Sequence, residues 1–193
     1  MSWRRRLRIL ANALTISRCL FAAAVATAAV APGDIDARRR LSLIVTLNVL
    51  GWTSDLFDGW AARRSELPSR VWAGIDQAAD LLLLWGTAYA LAAAQFVPAS
   101  WVKAYFLAAV LALALNPTKN MEQLTCVPLL LLPPAVCLRH SPGLTLLYVG
   151  WAACAAALFW RRLCTQAVDF IDRIPGAPRC WFRGIRTYMA KWY

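Results

Sequence analysis

Four aspartates stand in otherwise apolar stretches of a chain that contains only ten acidic residues. They are Asp55, Asp58, Asp76 and Asp80. An ionisable side chain inside a membrane segment costs about 2.5 to 3.5 kcal/mol on insertion scales, so it is rarely kept without a function. The first two aspartates are three residues apart and the last two are four apart, so each pair would point from one face of a helix. Two such faces could form one metal site, because carboxylate oxygens suit magnesium or manganese.

The composition indicates a membrane protein whose helices cross the bilayer several times. Hydrophobic residues make up 60% of the chain, charged residues only 16%, and the mean hydropathy is +0.50, which is unusual for a soluble domain. A spanning helix needs about 20 largely apolar residues. Six segments are predicted to span the membrane, and they cover roughly 9–31, 42–62, 71–95, 99–116, 121–138 and 143–160. The alternation typical of outer-membrane barrels is missing, so the predicted fold class is all-α.

The segments that flank the predicted spans are basic and contain aromatic residues. We predict one membrane domain over residues 1–160 and an interfacial tail over residues 161–193. The first twelve residues carry four arginines together with apolar side chains. This pattern predicts an amphipathic juxtamembrane helix that lies against anionic headgroups before the chain turns inward. A mitochondrial transit peptide is the alternative, but the segment runs into the first predicted span without a spacer.

The formal net charge of +11 raises the question of nucleic-acid binding. The basic residues instead collect beside the ends of the predicted spans, which is typical of topology signals. We therefore predict no nucleic-acid partner, and we predict that both termini lie on the cytoplasmic side of the membrane. The predicted location is a bacterial inner membrane, with the mitochondrial inner membrane as the alternative. One run of arginines in the first outer loop departs from this pattern. It consists of Arg38, Arg39 and Arg40.

The spacing around the aspartates resembles the signature of the CDP-alcohol phosphatidyltransferase family. That signature has eight fixed positions, and seven of them are met here at the right spacing. The matching residues are Asp55, Asp58, Gly59, Ala62, Arg63, Asp76 and Asp80. The second glycine of the signature falls at position 72, where this chain has Trp72. Gly74 cannot replace it, because two residues along a helix rotate the side chain by about 200 degrees.

Trp72 has two interpretations. If the glycine of the family lets the helix backbone approach the bound nucleotide, an indole at this position would narrow or block the cytidine pocket. Alternatively, Trp72 marks the membrane interface at the start of its helix, where tryptophan is common. The sequence leaves both interpretations open.

Two further segments resemble the same family. The first consists of Asn12, Leu14, Thr15 and Arg18, which reproduce an opening typical of the first span. Arg18 lies about two turns into that span, and its burial would require an anionic partner. The second segment consists of Lys119, Asn120 and Gln123. It is similar to an element of phosphatidylglycerophosphate synthases and eukaryotic-type cardiolipin synthases, with asparagine in place of threonine, although a helix cap would explain the same polar cluster.

The resemblance implies a role for each of these residues. The first three aspartates bind Mg²⁺ or Mn²⁺, and Asp80 acts as general base toward the acceptor hydroxyl or as a further metal ligand. The implied nucleotide-binding residues are Asp55, Gly59, Ala62, Arg63 and Trp72. The implied acceptor-binding residues are Arg18, Lys119, Asn120 and Gln123. Helix packing is the alternative role for the two small residues, and a topology anchor is the alternative for Arg63.

The implied activity is transfer of a phosphatidyl group from CDP-diacylglycerol to a small polyol phosphate, most of all glycerol 3-phosphate, with release of CMP in phospholipid biosynthesis. Membrane lipids and a second copy of the chain are implied partners, because family members commonly form homodimers. A sibling enzyme with inositol phosphate, serine or phosphatidylglycerol as acceptor is one alternative. A non-catalytic member in which Trp72 prevents nucleotide binding is another, although all four aspartates are kept. A transporter is disfavoured, since we find no inverted repeat.

Overall fold

The computed structural model describes residues 3–30, 36–65, 70–160 and 164. Within this part of the chain there are six helices and no strand, which confirms the all-α prediction. The helices are α1 (Trp3–Val30), α2 (Ala37–Ser65), α3 (Arg70–Ala93), α4 (Ala99–Leu115), α5 (Lys119–His140) and α6 (Pro142–Leu158). The predicted tail over residues 161–193 lies outside the described residues, apart from Cys164.

Neighbouring helices in sequence run antiparallel, so the bundle has two ends. At one end the start of α1 meets the end of α2, where Leu7 and Ala11 pack against Ala61. At the other end the connection between α3 and α4 meets the end of α5, where the rings of Phe96 and His140 lie 5.2 Å apart. We name the first the aspartate end, because the four aspartates lie in the halves of α2 and α3 that are nearer to it.

The six helices correspond to the six predicted spans, but only two of the described helices are long and apolar enough by themselves to cross a membrane. They are Trp3–Val30 and Asn120–His140. The helices α4 and α6 are apolar but have 17 residues each, which makes them about 25 Å long. The helices α2 and α3 carry the charged aspartates and are not among these two. Six membrane spans therefore stay a prediction.

The N-terminal segment differs from the prediction of a separate amphipathic helix that ends in a turn. Trp3–Val30 is one continuous helix that joins the basic start to the apolar remainder. No proline or glycine occurs in this range, so nothing local breaks the helix. In addition, Leu7 and Ala11 are buried against α2. The prediction of a helix is confirmed here, whereas the predicted turn is wrong.

The helices α4 and α6 form the periphery of the bundle. Among the described residues, α4 buries only Ala109 and α6 only Tyr148. Both helices turn large apolar side chains outward. These include Trp101, Phe106, Leu107, Leu115, Leu146 and Leu158. So much exposed apolar surface marks a protein that is surrounded by lipid or by other protein.

A buried polar network joins α2, α3 and α6. Asn48 on α2 donates from Nδ2 to Oγ1 of Thr87 on α3 at 2.9 Å, and its Oδ1 accepts from the hydroxyl of Tyr148 on α6 at 3.3 Å. Thr87 in turn donates to the backbone carbonyl of Leu83 at 2.7 Å. All three polar side chains are buried. Because buried polar groups need their partners, this network holds the three helices in one arrangement.

The helices α1 and α3 approach each other closely at Gly86. A Cβ atom built on Gly86 would lie 3.3 Å from the carbonyl oxygen of Ala22, which is tighter than ordinary van der Waals contact. Ala22 is one turn beyond Arg18 on α1, and Gly86 is six residues beyond Asp80 on α3. The missing side chain therefore helps α1 to come near the helix that carries Asp80.

We expect Gly86→Val to destabilise the bundle, since the backbone of α1 must move away to make room for the new side chain. Overpacking of this kind costs about 1–3 kcal/mol. The measurement is thermal unfolding of the purified variants in detergent, followed by circular dichroism. Gly150→Val is the matched control, because it makes the same change in a helix where a Cβ would meet no atom within 4 Å. An equal loss of stability in both variants would contradict the role given to Gly86.

Candidate active site

Five charged side chains from three helices meet in the half of the bundle that is nearer to the aspartate end. Arg18 comes from α1, Asp55 and Asp58 come from α2, and Asp76 and Asp80 come from α3. Residues three or four apart on a helix share a face, and here the faces of α2 and α3 turn toward the same guanidinium. The structure thus brings the two aspartate pairs together.

The guanidinium of Arg18 lies at the centre of this cluster. Its Nη2 is 3.2 Å from Asp55 Oδ1, and its Nη1 is 3.1 Å from Asp76 Oδ1. The same nitrogens also pair with Asp58 and Asp80, respectively. The Arg18 side chain is fully buried. The anionic partner that its burial requires is therefore supplied by the chain itself.

The exposure of the aspartates increases from α2 to α3. The side chain of Asp58 is 4% exposed and that of Asp55 is 17% exposed. In contrast, Asp80 is 34% exposed and Asp76 is 41% exposed. Asp58 therefore forms the floor of the site, and a ligand would approach from the side of α3.

The carboxylates fit a divalent cation. One oxygen from each of Asp55, Asp58 and Asp76 lies within 4.8 Å of the other two, and oxygen ligands of this kind suit Mg²⁺ or Mn²⁺. One guanidinium against four carboxylates also leaves a formal excess of three negative charges, which a bound cation would reduce. Asp80 does not belong to this group of three, although it shares Arg18 with them.

Thr15 is a site residue whose contact the sequence does not reveal. Its Oγ1 lies 3.3 Å from Asp58 Oδ2 and 3.2 Å from the backbone carbonyl of Ala11, so its single proton is shared between these two acceptors, and the residue is 5% exposed. Thr15 precedes Arg18 by three residues, so both side chains point from one face of α1. That spacing is a usable signal only once Arg18 is known to face the aspartates.

The start of α5 is tied to α3 beside the aspartates. The side-chain amide of Gln77, which follows Asp76 in sequence, donates to the carboxylate of Glu122 on α5. The predicted acceptor residues at the start of α5 are Lys119, Asn120 and Gln123. Among the buried side-chain atoms described, Gln123 Oε1 has no hydrogen-bond partner. The first turns of α5 thus lie next to α3 and include one buried acceptor atom that a ligand could satisfy.

The amino-acid sequence matches one known protein family. Residues 8–160, which are most of the chain, match the model of the CDP-alcohol phosphatidyltransferase family. The chain belongs to the CDP-alcohol phosphatidyltransferase family. No curated protein and no solved structure matches it significantly.

Membership of the CDP-alcohol phosphatidyltransferase family defines the class of reaction. The family implies a transferase that moves a phosphatidyl group from a CDP-alcohol to an acceptor in phospholipid biosynthesis. It depends in general on divalent metals, and the aspartate cluster is able to hold one. Together with the two long apolar helices, the family also indicates a membrane protein.

The remaining signature positions of the CDP-alcohol phosphatidyltransferase family, including the one that Trp72 occupies in place of glycine, lie on α2 and α3 as well. Gly59 is half-buried, and Ala62 packs where α1 and α2 meet at the aspartate end. Arg63 is exposed near the end of α2, and Trp72 is half-buried near the start of α3. The structure thus shows a packing role for Ala62, while nucleotide contacts of all four residues stay predictions.

Proposed function

We propose that this protein transfers the phosphatidyl group of CDP-diacylglycerol to a small polyol phosphate, above all glycerol 3-phosphate, and releases CMP. The observation that carries the proposal is the cluster of four aspartates around a buried arginine in a chain of this family. The choice of glycerol 3-phosphate rests on the resemblance of the start of α5 to the corresponding element of phosphatidylglycerophosphate synthases.

We propose that all six helices span a bacterial inner membrane, with both termini and the aspartate end on the cytoplasmic side. The outward apolar side chains of α4 and α6 support this arrangement. These two helices are about 25 Å long against a hydrocarbon core of about 30 Å, so flanking residues would complete their spans. Water-soluble acceptor and CMP would exchange at the aspartate end, while the lipid donor enters sideways. A mitochondrial inner membrane is the alternative location.

Asp55, Asp58 and Asp76 are the proposed metal ligands. A divalent ion held there would offset the negative charge of the donor diphosphate as the leaving group departs. The three carboxylates come from two helices, so the ligand set exists only while α2 packs against α3. Thr15 lies within hydrogen-bond distance of Asp58, and donation of its proton to Asp58 would help to orient the most buried carboxylate.

Asp80 is the proposed general base. Its carboxylate lies outside the group of three and is more exposed than those of Asp55 and Asp58. An acceptor hydroxyl could therefore reach it, and removal of the hydroxyl proton during attack on phosphorus requires a base within hydrogen-bond distance. Arg18 pairs with Asp80 and so orients its carboxylate. A role as fourth metal ligand is the alternative.

Arg18 is better assigned to the aspartates than to the acceptor. The family resemblance implies that it binds the acceptor, but both of its terminal nitrogens contact aspartates in the structure. A guanidinium in this position balances part of the negative charge and holds α1 against α2 and α3. We therefore propose that Arg18 positions the carboxylates.

Acceptor recognition is proposed for the start of α5, where Gln123 Oε1 is a buried acceptor atom in need of a donor. A hydroxyl of a polyol phosphate could supply that donor. Another residue caps α5, because the Thr118 side chain accepts from the backbone N–H of Met121 at 3.4 Å. Lys119 and Asn120 therefore need not serve as the cap, and we propose that they bind the phosphate of the acceptor.

On the donor side, we propose that Arg63 contacts a phosphate of the nucleotide and that Gly59 and Ala62 allow its close approach. Asp55 would contact both the metal ion and the nucleotide. Trp72 stands where the family has glycine, and we propose that it borders the cytidine without excluding it. The retained aspartates support this view over a non-catalytic member.

The experiment that tests the proposal measures CMP release by the purified protein in detergent–lipid micelles. CDP-diacylglycerol and Mg²⁺ are supplied with glycerol 3-phosphate, inositol phosphate, serine or phosphatidylglycerol in separate reactions, and EDTA replaces Mg²⁺ in a parallel set. We expect release with glycerol 3-phosphate and Mg²⁺ only. Release with another acceptor would show a sibling enzyme instead.

A folded protein that shows no turnover with any acceptor would contradict the proposal and favour a non-catalytic member. Trp72→Gly would then be the next variant, because it restores the family residue. We also propose a homodimer on the basis of the family, and light scattering of the purified protein in detergent tests it. A mass of one copy per micelle would contradict it.

A further inference from the structure

A small pocket lies at the end of the bundle opposite the aspartate end. It has a cavity volume of about 320 Å³ and lies between the start of α2 and the junction of α5 with α6. The described residues that line it are Arg38, Arg39, Ser42, Ser141, Gly143 and Leu144. This lining combines positive charge with hydroxyl groups and contains no carboxylate, so it suits an anion.

The pocket is separate from the aspartate cluster. Arg38 and Asp55 are 17 residues apart on α2, which corresponds to about 25 Å along the helix axis. In the six-span arrangement proposed above, the pocket would lie at the opposite surface of the membrane. It therefore has no part in the proposed transfer reaction.

Several hydrogen-bond donors border this space. Arg38 and Arg39 are exposed at the start of α2. The helix α6 begins here with Pro142, so Gly143 supplies its first backbone N–H, at the end of the helix that carries partial positive charge. A Cβ atom on Gly143 would meet no atom within 4 Å, so the space beside it is open. Helix starts of this kind bind phosphate groups.

Ser141 independently indicates a ligand. The residue is 3% exposed and lines the pocket. Its hydroxyl does not cap α6, and its hydrogen bonds with other described residues involve only its backbone N–H and carbonyl. The Ser141 oxygen is not among the fully buried side-chain atoms that lack a partner, so it faces the open space of the pocket, and a polar group in such enclosed surroundings favours a hydrogen-bond partner. An anionic oxygen in the pocket would accept a hydrogen bond from it.

We propose that this pocket binds a phosphate group, above all the headgroup phosphate of an anionic phospholipid. Two guanidinium groups, a helix start and a buried hydroxyl together match the charge and the several acceptor oxygens of phosphate. Leu43 directly follows the lining residue Ser42, and Leu146 and Leu147 follow the lining residue Leu144 within three positions. All three leucines are exposed, and acyl chains of a bound lipid could lie along them. This site gives a function to the arginine run that departs from the topology pattern.

The test is native mass spectrometry of the full chain in detergent, titrated with phosphatidylglycerol or, separately, with phosphatidylcholine. We expect phosphatidylglycerol to bind more tightly, and Arg38→Gln/Arg39→Gln to weaken its binding roughly 30-fold, because each arginine near an anionic lipid contributes about fivefold. Ser141→Ala should weaken binding about fivefold, the typical effect of one lost hydrogen bond. The measurement needs no turnover, so it is independent of the proposed activity.

Lys103→Gln/Arg139→Gln is the matched control. It removes the same charge from exposed residues of α4 and α5 near the same end of the bundle, and neither residue lines the pocket. Equal weakening by both double variants, or none by the first, would overturn the proposal. A third titration adds inorganic phosphate as a competitor. Displacement of the lipid by phosphate would show that the pocket also binds free phosphate. If lipid and phosphate share this site, the Arg38→Gln/Arg39→Gln variant should bind both of them more weakly.

Discussion

Asp80→Asn should remove most CMP release while the protein stays folded. We expect a fall of about 10²–10⁴-fold, the usual contribution of a general base. Asparagine keeps the shape of the side chain and removes its charge, and Arg18 keeps three carboxylate partners. The measurements are the initial rate of CMP release with CDP-diacylglycerol, glycerol 3-phosphate and Mg²⁺, and the melting temperature in the same detergent.

Asp36→Asn is the control for this variant, since it makes the same change at an exposed position just before α2. It should leave the rate unchanged. A titration with Mn²⁺ separates the two roles of Asp80, because a lost base is not recovered by more metal, whereas a lost ligand raises the metal concentration that is required. A rate near that of the parent protein in Asp80→Asn would exclude both roles.

Arg18→Gln should destabilise the protein strongly when no divalent metal is present. The substitution leaves four carboxylates close together without their shared cation. Removing one partner of a buried ion pair costs about 3–5 kcal/mol, and the partial exposure of Asp76 and Asp80 places the expected loss near the lower value. We expect the melting temperature to fall in EDTA and to recover in part with Mg²⁺ or Mn²⁺, because a ligand that binds the folded state stabilises it.

Two further variants make this experiment specific. Arg5→Gln removes the same charge from an exposed position on the same helix and should have little effect on the melting temperature. Arg18→Lys should fall between the parent protein and Arg18→Gln, since a single ammonium group cannot contact as many carboxylates as a guanidinium. If Arg18→Gln melts like the parent protein in EDTA, Arg18 does not balance the charge of the aspartates.

The aspartate cluster is predictable from the sequence because it depends on short-range spacing. The geometry of a helix alone places Asp55 beside Asp58 and Asp76 beside Asp80. The short connection between α2 and α3 then favours contact between their faces. The sequence also predicts that Arg18 has an anionic partner, since an arginine buried in an apolar helix needs one.

The identity of that partner is not predictable, because it depends on how α1 is rotated about its own axis. Contacts such as the one between Gly86 and Ala22 help to set this rotation, and no local pattern reveals them. The hydrogen bond between Gln77 and Glu122 joins residues 45 positions apart and is hidden for the same reason.

The turn predicted after the first twelve residues fails because an amphipathic start looks the same in a short helix and in a long one.

The hydrogen bond between Asn48 and Thr87 fixes how far α2 can slide along α3. Asn48 precedes Asp55 by seven residues, and Thr87 follows Asp80 by seven. Along each helix axis the hydrogen-bonding residue therefore lies about 10 Å from the aspartate, on nearly the same face of the helix. Apolar side chains alone would tolerate a slip by one turn. A buried amide would lose its hydroxyl partner after such a slip of about 5.4 Å. The axial alignment of the aspartates is thus set in part by two uncharged residues two turns away.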